Sequence, residues 1–173
     1  MTTEIVDIRS ARAGDAHGLT RVHDEAWETA YRGLIPGIQL TKMIQRRGPV
    51  YWKKLAERRG SGLLVLAFDG TIAGYASFGP NRSRRVPVAG EIYELYLKPD
   101  YQGIGLGTRL FRAARQALGS AGLRGVCAWA LDGNTMASAF YEARGGSAHA
   151  HGFERFGDTR LAKTAWTWPV RKN

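Results

Sequence analysis

Three alternating glycines occur in the stretch PDYQGIGLGTRLF, which covers residues 99–111. Gly103, Gly105 and Gly107 precede apolar residues at helical spacing, so a glycine turn is predicted to lead into a helix. Such a turn presents backbone N–H groups and the positive end of a helix to an anion, and glycine permits close approach because it lacks a Cβ. Glycine also loses much backbone entropy on folding, which a turn without a ligand rarely requires. The stretch therefore predicts an anion-binding site.

The spacing of these glycines excludes the two commonest phosphate-binding loops. The dinucleotide motif G-x-G-x-x-G needs a glycine where Thr108 stands. The P-loop motif G-x-x-x-x-G-K-[ST], read from Gly103, needs a glycine at the same position and a lysine where Arg109 stands. The pattern that remains is Gln102-x-x-Gly105-x-Gly107.

This pattern resembles the signature Arg/Gln-x-x-Gly-x-Gly/Ala of the GCN5-related N-acetyltransferase (GNAT) family. The preceding segment EIYELYLKPDYQ is similar to the family's fourth strand and the turn after it. The later segment NTMASAFYEARGG is similar to the helix that carries the family's asparagine and tyrosine, and AWETAYRGLIP resembles a segment of bacterial members. The resemblance covers nearly the whole chain.

The resemblance implies that acetyl-coenzyme A is the cosubstrate, bound where the fourth and fifth strands splay apart, with no metal. Three strand residues would pair with the pantetheine arm, namely Leu95, Tyr96 and Leu97. Backbone amides at the positive end of the helix would hold the pyrophosphate. These amides belong to Gln102, Gly103, Ile104, Gly105, Leu106, Gly107 and Thr108. Asn134 matches the family's asparagine that binds the pantetheine, and it is also a typical helix N-cap.

Acetyl transfer to an amine needs a base for the amine proton, a donor for the thioester oxygen and an acid for the leaving thiolate. Tyr141 matches the family's tyrosine beside the coenzyme sulfur, and a phenol with a pKa of about 10 can protonate a thiolate as it leaves. A buried tyrosine beside Phe140 is the alternative interpretation. A strand N–H near Leu97 would stabilise the thioester oxygen.

The base is less well defined by the sequence. Glu91 occupies the position of the glutamate base in the family's histone-modifying members, and Glu94 is the second choice because it is nearer the acetyl end. The two are three residues apart, so strand alternation predicts that at most one of them faces the acceptor. A surface or salt-bridged role for either glutamate, and a water chain in place of a single base, are the alternatives.

The acceptor pocket of the family lies beside its first helices. Tyr31 and Arg32, just before the helix break at Gly33, are therefore the expected substrate-binding residues, and Arg32 is suited to an acidic acceptor group. His149 and His151 alternate on a predicted strand, but no third metal ligand accompanies them, so a structural role is expected. His23 is expected at the surface or the edge of the core.

The elements that position these residues form a predicted α/β fold, a single domain over residues 1–173. Its mixed, mostly antiparallel sheet has about seven strands, flanked by about four helices. Asp69 and Gly70 between two apolar runs predict a hairpin with a type I′ turn. The first strand is predicted over residues 4–9, and a second helical stretch over residues 41–57, with Pro49 interrupting it.

The composition narrows the class of protein further. The formal net charge is +10, which favours anionic partners, but no run of five basic residues occurs. The single cysteine, Cys127, excludes an intramolecular disulfide and is expected to be inert. The first ten residues do not have the pattern of a signal peptide, and no apolar run is long enough to span a bilayer. A cytoplasmic protein without membrane or nucleic-acid partners is expected.

These observations predict an acetyl-coenzyme A-dependent N-acetyltransferase that acetylates a primary amine of a small molecule. Direct attack in a ternary complex is favoured, because no cysteine lies in the motif segments. The alternatives are acetylation of a protein or peptide amino group, a coenzyme-binding fold without catalysis, and a basic nucleic-acid-binding domain, for which no motif is present. The family resemblance also implies a homodimer.

Overall fold

The computed structural model describes residues 5–170. Within that range the chain forms seven strands and five α-helices. The strands are β1 Val6–Ser10, β2 Gly62–Phe68, β3 Thr71–Pro80, β4 Gly90–Leu97, β5 Val126–Leu131, β6 Ser147–Phe156 and β7 Thr159–Trp168. The helices are α1 Ala16–Tyr31, α2 Gly37–Gln45, α3 Pro49–Glu57, α4 Leu106–Ser120 and α5 Thr135–Ala143. The predicted first strand began at Glu4, which lies outside the described residues, and β1 runs one residue beyond its predicted end.

The strands form one sheet in the order β1-β2-β3-β4-β5-β7-β6. Only β4 and β5 are parallel, and the other neighbours are antiparallel, which confirms the predicted mixed and mostly antiparallel sheet. The β2–β3 hairpin turns at Asp69 and Gly70, whose φ angles of 46° and 80° are both positive. A type I′ turn requires positive φ at both central residues, so the predicted hairpin is confirmed.

The helical stretch predicted over residues 41–57 is two helices rather than one. α2 ends at Gln45, and α3 begins at Pro49. Proline suits the first position of a helix because its missing N–H would have no intrahelical partner there. Pro49 therefore starts α3 instead of merely interrupting a longer helix, and the flanking helices number five instead of about four.

Helices cover both faces of the sheet. Leu66 and Ala76 pack in the cluster that contains the buried face of α4, whereas their neighbours Val65 and Tyr75 pack in a second cluster with residues of α1 and α3. Successive residues of a strand point to opposite faces, so α4 lies on one side of the sheet and α1 with α3 on the other. The glycine turn before α4 and the segment after α1 thus approach the sheet from opposite sides.

An ion pair at the start of α1 joins this helix to the edge strand. Asp15 accepts hydrogen bonds from Nη1 and Nη2 of Arg9, at 2.7 and 2.9 Å, and from the backbone N–H of Arg12 at 2.7 Å. These donors hold the pKa of the Asp15 carboxyl below its usual value, the Arg9 side chain having the largest effect. Asp15 is the N-cap residue of α1, but its side chain binds Arg9 and Arg12 rather than the helix amides.

Within residues 5–170, the helices are all too short or too polar to cross a membrane.

Candidate functional site

The sheet opens between its two parallel strands. β4 pairs with β5 through only three residues, Gly90, Glu91 and Ile92, which face Val126 to Ala128. The remaining half of β4, residues 93–97, has no partner on that side in the described part of the chain, although it stays paired with β3. Backbone groups on that edge are therefore open to an extended ligand, which can bind as an added strand.

The glycine turn lies at the end of this splayed half of β4. Gly103 and Gly105 have φ angles of 79° and 87°, which favour glycine, and Gly105 is the N-cap of α4. A Cβ built on either residue would meet no heavy atom within 4 Å, so the space before the turn is open. A Cβ on Gly107 would lie 3.1 Å from the Phe140 ring, so a larger residue there would be tightly packed against this ring. Gln102 fixes the turn by donating from Nε2 to the Leu97 carbonyl at 3.1 Å.

An arginine that the sequence did not single out lies beside the helix N-terminus. Arg144, just after α5, donates from Nε to Thr108 Oγ1 at 3.0 Å and from Nη1 to the Phe140 carbonyl at 2.9 Å. Its guanidinium lies 3.6 Å from the centre of the Phe140 ring. Its positive charge adds to the N–H groups at the start of α4, so the turn combines two features that attract an anion.

Two tyrosines and an asparagine lie at the splayed half of β4. The phenol oxygens of Tyr31 and Tyr96 lie 2.5 Å apart, and Asn134 accepts from the Ala137 N–H at 3.2 Å as the N-cap of α5. Burial raises the pKa of Tyr31, an effect that its hydrogen bonds with Tyr96 and Asn134 partly oppose. The expected N-cap role of Asn134 is confirmed, and its side chain also reaches the phenol of Tyr31.

Tyr141 lies in the core cluster on the α4 side of the sheet. Its ring packs against Phe111, Phe140 and Trp168, with centroids 5.5 to 6.2 Å away. Burial, and to a smaller extent Tyr31, raise the pKa of the phenol above its ordinary value. The phenol is therefore protonated at neutral pH. Tyr141 is thus a buried tyrosine beside Phe140, as the alternative interpretation stated.

Glu91 and Glu94 line the same cavity, so the expectation that at most one of them faces the acceptor is wrong. The reason is a β-bulge. Ser77 pairs with Glu94 and Phe78 pairs with Ile92, which leaves Tyr93 as an extra residue of β4. An extra residue reverses the alternation of side chains beyond it, and this brings both carboxylates to one face.

Each carboxylate is held by an arginine from another segment. Glu91 is 3% exposed and accepts from the backbone N–H of Arg82 at 2.9 Å and from its Nη2 at 2.8 Å. Glu94 accepts from Arg47 and from the Tyr75 phenol, the latter at 3.0 Å. The guanidinium of Arg82 is largely exposed, whereas Arg47 is only 28% exposed. Both glutamates therefore form salt bridges, as the alternative interpretation predicted, and both line the cavity.

Arg47 comes from the short connection between α2 and α3. Its guanidinium lies 5.3 Å from the centre of the Trp27 ring and 5.4 Å from that of Tyr51, which places it between two aromatic side chains. The same charge acts on His23, which is fully buried between Trp27 and Trp52. Burial, and secondarily Arg47, lower the pKa of His23 to about 3. His23 is thus a neutral core residue, and its expected position at the surface or core edge is corrected.

The cavity has a volume of about 1010 Å³. It extends from the end of α1 and the end of α3, across β4, to β5, β6 and β7. Its inner end includes Tyr31, Tyr96 and Leu131, so it reaches the point where β4 and β5 separate. Aromatic side chains form much of its wall: Trp27, Tyr31, Tyr51, Phe78, Tyr93, Tyr96, Trp129, Phe153 and Phe156.

Of the two expected acceptor residues, only Tyr31 lines this cavity. Arg32 lies in a separate, smaller depression and donates to Glu28 Oε1 from Nη2 at 2.5 Å and from Nε at 3.0 Å. Its side chain is 75% exposed. Because Tyr31 ends α1 and the chain then turns, consecutive residues point in different directions, so Arg32 does not contact a ligand in the main cavity.

The expected histidine pair does not form a metal site. His149 is the extra residue at a second bulge in β6, between Ala148 and Ala150, and His151 contacts Thr164 Oγ1 at 3.2 Å. Across residues 5–170, no group of three His, Cys, Asp or Glu side chains is arranged to hold a metal ion.

Sequence comparison identifies related proteins. The family model described as "Acetyltransferase (GNAT) family" matches residues 19–146. The uncharacterized N-acetyltransferase YuaI of Bacillus subtilis (strain 168) is 28% identical over 166 residues, which are 95% of this chain and 94% of that protein. An uncharacterized N-acetyltransferase of Archaeoglobus fulgidus is 30% identical over 114 residues, which are 63% of this chain and 71% of that protein.

Solved structures share the fold. The PaiA N-acetyltransferase of Thermoplasma acidophilum, crystallised with coenzyme A, matches with a TM-score of 0.73 at 20% identity, covering 92% of this chain and 98% of that one. YncA of Salmonella typhimurium, solved with acetyl-CoA, matches with a TM-score of 0.66 at 20% identity, covering 98% and 96%. At this identity the similarity establishes the common fold.

Proposed function

The chain belongs to the acetyltransferase (GNAT) family, and on this premise we propose that it transfers the acetyl group of acetyl-coenzyme A to the primary amine of a small molecule bound in the cavity. The observation that carries the proposal is the arrangement at the splayed strands. The open glycine turn approaches β4 from the α4 side, and the cavity reaches the same strand from the side of α1 and α3. Donor and acceptor thus meet through the gap in the sheet.

The residues around the turn fit coenzyme A. Open space before Gly103 and Gly105, the free N–H groups at the start of α4 and the charge of Arg144 suit a pyrophosphate. The unpaired edge of β4, with Leu95, Tyr96 and Leu97, suits the pantetheine arm, and Asn134 lies at its far side. Two structural relatives were solved with coenzyme A or acetyl-CoA, which supports the same ligand here. The bound thioester supplies an activated acetyl group.

Tyr141 is the proposed general acid. A phenol is protonated at neutral pH even at its ordinary pKa of about 10, so a proton is available when the thiolate leaves. Tyr141 stands on α5, the helix whose N-cap is Asn134. A backbone N–H of the splayed half of β4, near Leu97, would stabilise the thioester oxygen as negative charge develops on it.

Glu91 is the proposed acceptor of the amine proton, and Glu94 is the second candidate. Glu91 is held by Arg82, whose side chain is 65% exposed, so the pair is accessible to water. Glu94 is held by the less exposed Arg47 and by Tyr75, so its carboxylate is less free to accept a proton. Because both line the cavity, the acceptor amine lies within reach of a carboxylate, directly or through water.

Direct attack by the amine is proposed rather than an acetyl-cysteine intermediate. The single cysteine, Cys127, is fully buried, and burial together with Glu91 raises the pKa of its thiol to about 12. Little thiolate exists at neutral pH under these conditions, so Cys127 is a poor nucleophile.

Two measurements test the proposal. Calorimetric titration with acetyl-coenzyme A should give a dissociation constant of micromolar order, typical of a bound cosubstrate. A thiol-release assay with a panel of primary amines should then show turnover that depends on both substrates. Absence of coenzyme binding at millimolar concentration would exclude the proposed function, and turnover with protein amino groups but with no small amine would exclude the proposed acceptor class.

A further inference from the structure

Basic side chains outnumber acidic side chains in the lining of the cavity. It contains three acidic side chains and six basic ones: Glu91, Glu94, Glu154, Arg47, Arg58, Arg59, Arg82, Arg85 and Lys163. Each acid has one basic partner from the same wall, in the pairs Arg47–Glu94, Arg82–Glu91 and Lys163–Glu154. Three arginines remain, Arg58, Arg59 and Arg85, and within residues 5–170 none of them forms an ion pair.

These three arginines lie at the rim, on both sides of the glutamates. Arg58 and Arg59 directly follow α3 and precede Gly62, the residue of β2 that pairs with Phe78. Arg85 belongs to the loop between β3 and β4, and its Nη1 lies 3.3 Å from where a Cβ on Gly152 would be, which places it over β6. In the sheet order, β2 and β6 lie on opposite sides of β4, which carries Glu91 and Glu94.

With this distribution, the inner end and the rim of the cavity would bind different chemical groups of one ligand. The inner end, beside Tyr31 and Tyr96, is where the amine must approach the acetyl group, and both carboxylates lie on β4, the strand that carries Tyr96. The rim carries the excess positive charge. A ligand with an amine at one end and an anionic group at the other would match both regions, whereas a diamine would place a second positive charge against the rim arginines.

From this charge pattern we infer that the acceptor is an anionic amine, a primary amine whose chain carries a carboxylate or phosphate group remote from the reacting nitrogen. This inference rests on the proposed function, because it assumes that the cavity holds the acceptor. Arginine suits such a group, since its guanidinium binds carboxylate and phosphate oxygens in a bidentate manner.

The test compares linear amines of equal length that differ only at the far end: aminohexanoate, aminohexyl phosphate, aminohexanol and diaminohexane. For the native chain, kcat/KM for the two anionic amines should exceed that for aminohexanol by about tenfold, the scale expected of a few exposed charge pairs acting together. Diaminohexane should be the poorest acceptor. Because exposed charges are screened, the preference should weaken as salt is added.

Two triple variants that remove the same amount of charge test whether the three rim arginines cause the preference. In R58Q/R59Q/R85Q the ratio between anionic and neutral amines should fall to about one, while coenzyme affinity and melting temperature stay unchanged. The control K53Q/K54Q/R84Q removes the same amount of charge from exposed residues of α3 and of the same loop that do not line the cavity. It should retain the native preference.

The outcomes separate the inference from the function on which it rests. If coenzyme A binds but neutral amines or diamines are acetylated as well as the anionic ones, the inference is wrong and the function stands. The same holds if both triple variants change the preference equally, since the effect would then come from net charge. If coenzyme A does not bind, the proposed function fails and the inference fails with it.

Discussion

The phenol oxygens of Tyr31 and Tyr96 lie 2.5 Å apart, which joins the last residue of α1 to the splayed half of β4. The rings are part of an aromatic group with Trp27, whose centroid is 5.2 Å from Tyr31 and 5.9 Å from Tyr96. This contact closes the inner end of the cavity at the point where the acceptor is proposed to meet the coenzyme. Substitutions at this contact are therefore expected to affect both the stability of the protein and its activity.

Removing either phenol should weaken this contact. Tyr31→Phe and Tyr96→Phe should each lower the free energy of unfolding by about 1 kcal/mol, because a buried hydroxyl loses its partner. In the double variant the two effects should not add, and urea denaturation of all four proteins measures the coupling. Strictly additive losses would show that the two hydroxyls do not interact in solution.

Tyr141→Phe should lower kcat by about 100-fold or more, the usual contribution of a general acid, and leave coenzyme affinity nearly unchanged. The removed hydroxyl makes no contribution to the aromatic packing with Phe111 and Trp168, so folding should be retained. Steady-state kinetics and calorimetry with coenzyme A measure the two effects. Tyr101→Phe, on the other side of the glycine turn, serves as the control. An unaltered kcat would remove Tyr141 from the chemistry.

Glu91→Gln should reduce kcat/KM by about 100-fold, because an amide cannot accept the amine proton, and the loss should diminish at high pH, where more of the free amine is neutral. Glu94→Gln should instead lower the free energy of unfolding, since it breaks the pair between Glu94 and the half-buried Arg47. The pH profile of each variant and its urea denaturation curve separate the two roles. A larger kinetic loss for Glu94→Gln, without loss of stability, would reverse the assignment.

Gly105→Ala should weaken coenzyme binding and destabilise the protein by about 1 kcal/mol, because the N-cap of α4 has a φ angle of 87°. Gly119→Ala is the matched control near the other end of the same helix. A Cβ there would meet no heavy atom within 4 Å, so alanine should stabilise the protein by about 0.5–1 kcal/mol and leave coenzyme affinity unchanged. Equal effects of the two substitutions on coenzyme affinity would contradict a role for the turn.

The ion pair of Asp15 with Arg9 predicts an acid-sensitive contribution to stability. The pKa of Asp15 is lower in the folded protein than the usual aspartate value of 3.8, so its stabilising effect is complete above that value and is lost as pH falls below it. Asp15→Asn should therefore lower stability at neutral pH by about 1–3 kcal/mol and flatten the decline on acidification. Urea denaturation between neutral and acidic pH, with Asp158→Asn as control, measures this. Parallel curves for the native protein and Asp15→Asn would contradict the assignment.

Local patterns in the sequence predicted most of the elements and the glycine turn on the α4 side, although they joined residues of α2 and α3 into one helical stretch. The positive φ angles at Asp69 and Gly70 and at Gly103 and Gly105 depend on a few neighbouring residues, and so does the N-cap at Asn134. Such features are readable because the steric preferences that produce them act over one turn of the chain. The motifs that resemble the GNAT family lie in the same short segments, so the family and its fold could also be predicted from the sequence.

The acceptor side was decided by tertiary structure. Arg47 reaches Glu94 across 47 positions of the chain, and Arg144 reaches Thr108 across 36, so no local pattern links either pair. The bulge at Tyr93 brought Glu91 and Glu94 to one face, because a single extra residue reverses strand alternation and only the pairing with β3 determines where it falls. The sequence by itself determined the glycine turn, the strands and the coenzyme-binding motif. Which charges are paired in the cavity, and which arginines have no acidic partner within residues 5–170, followed only from the folded chain, since ion pairs between distant segments depend on the sheet order that brings them together.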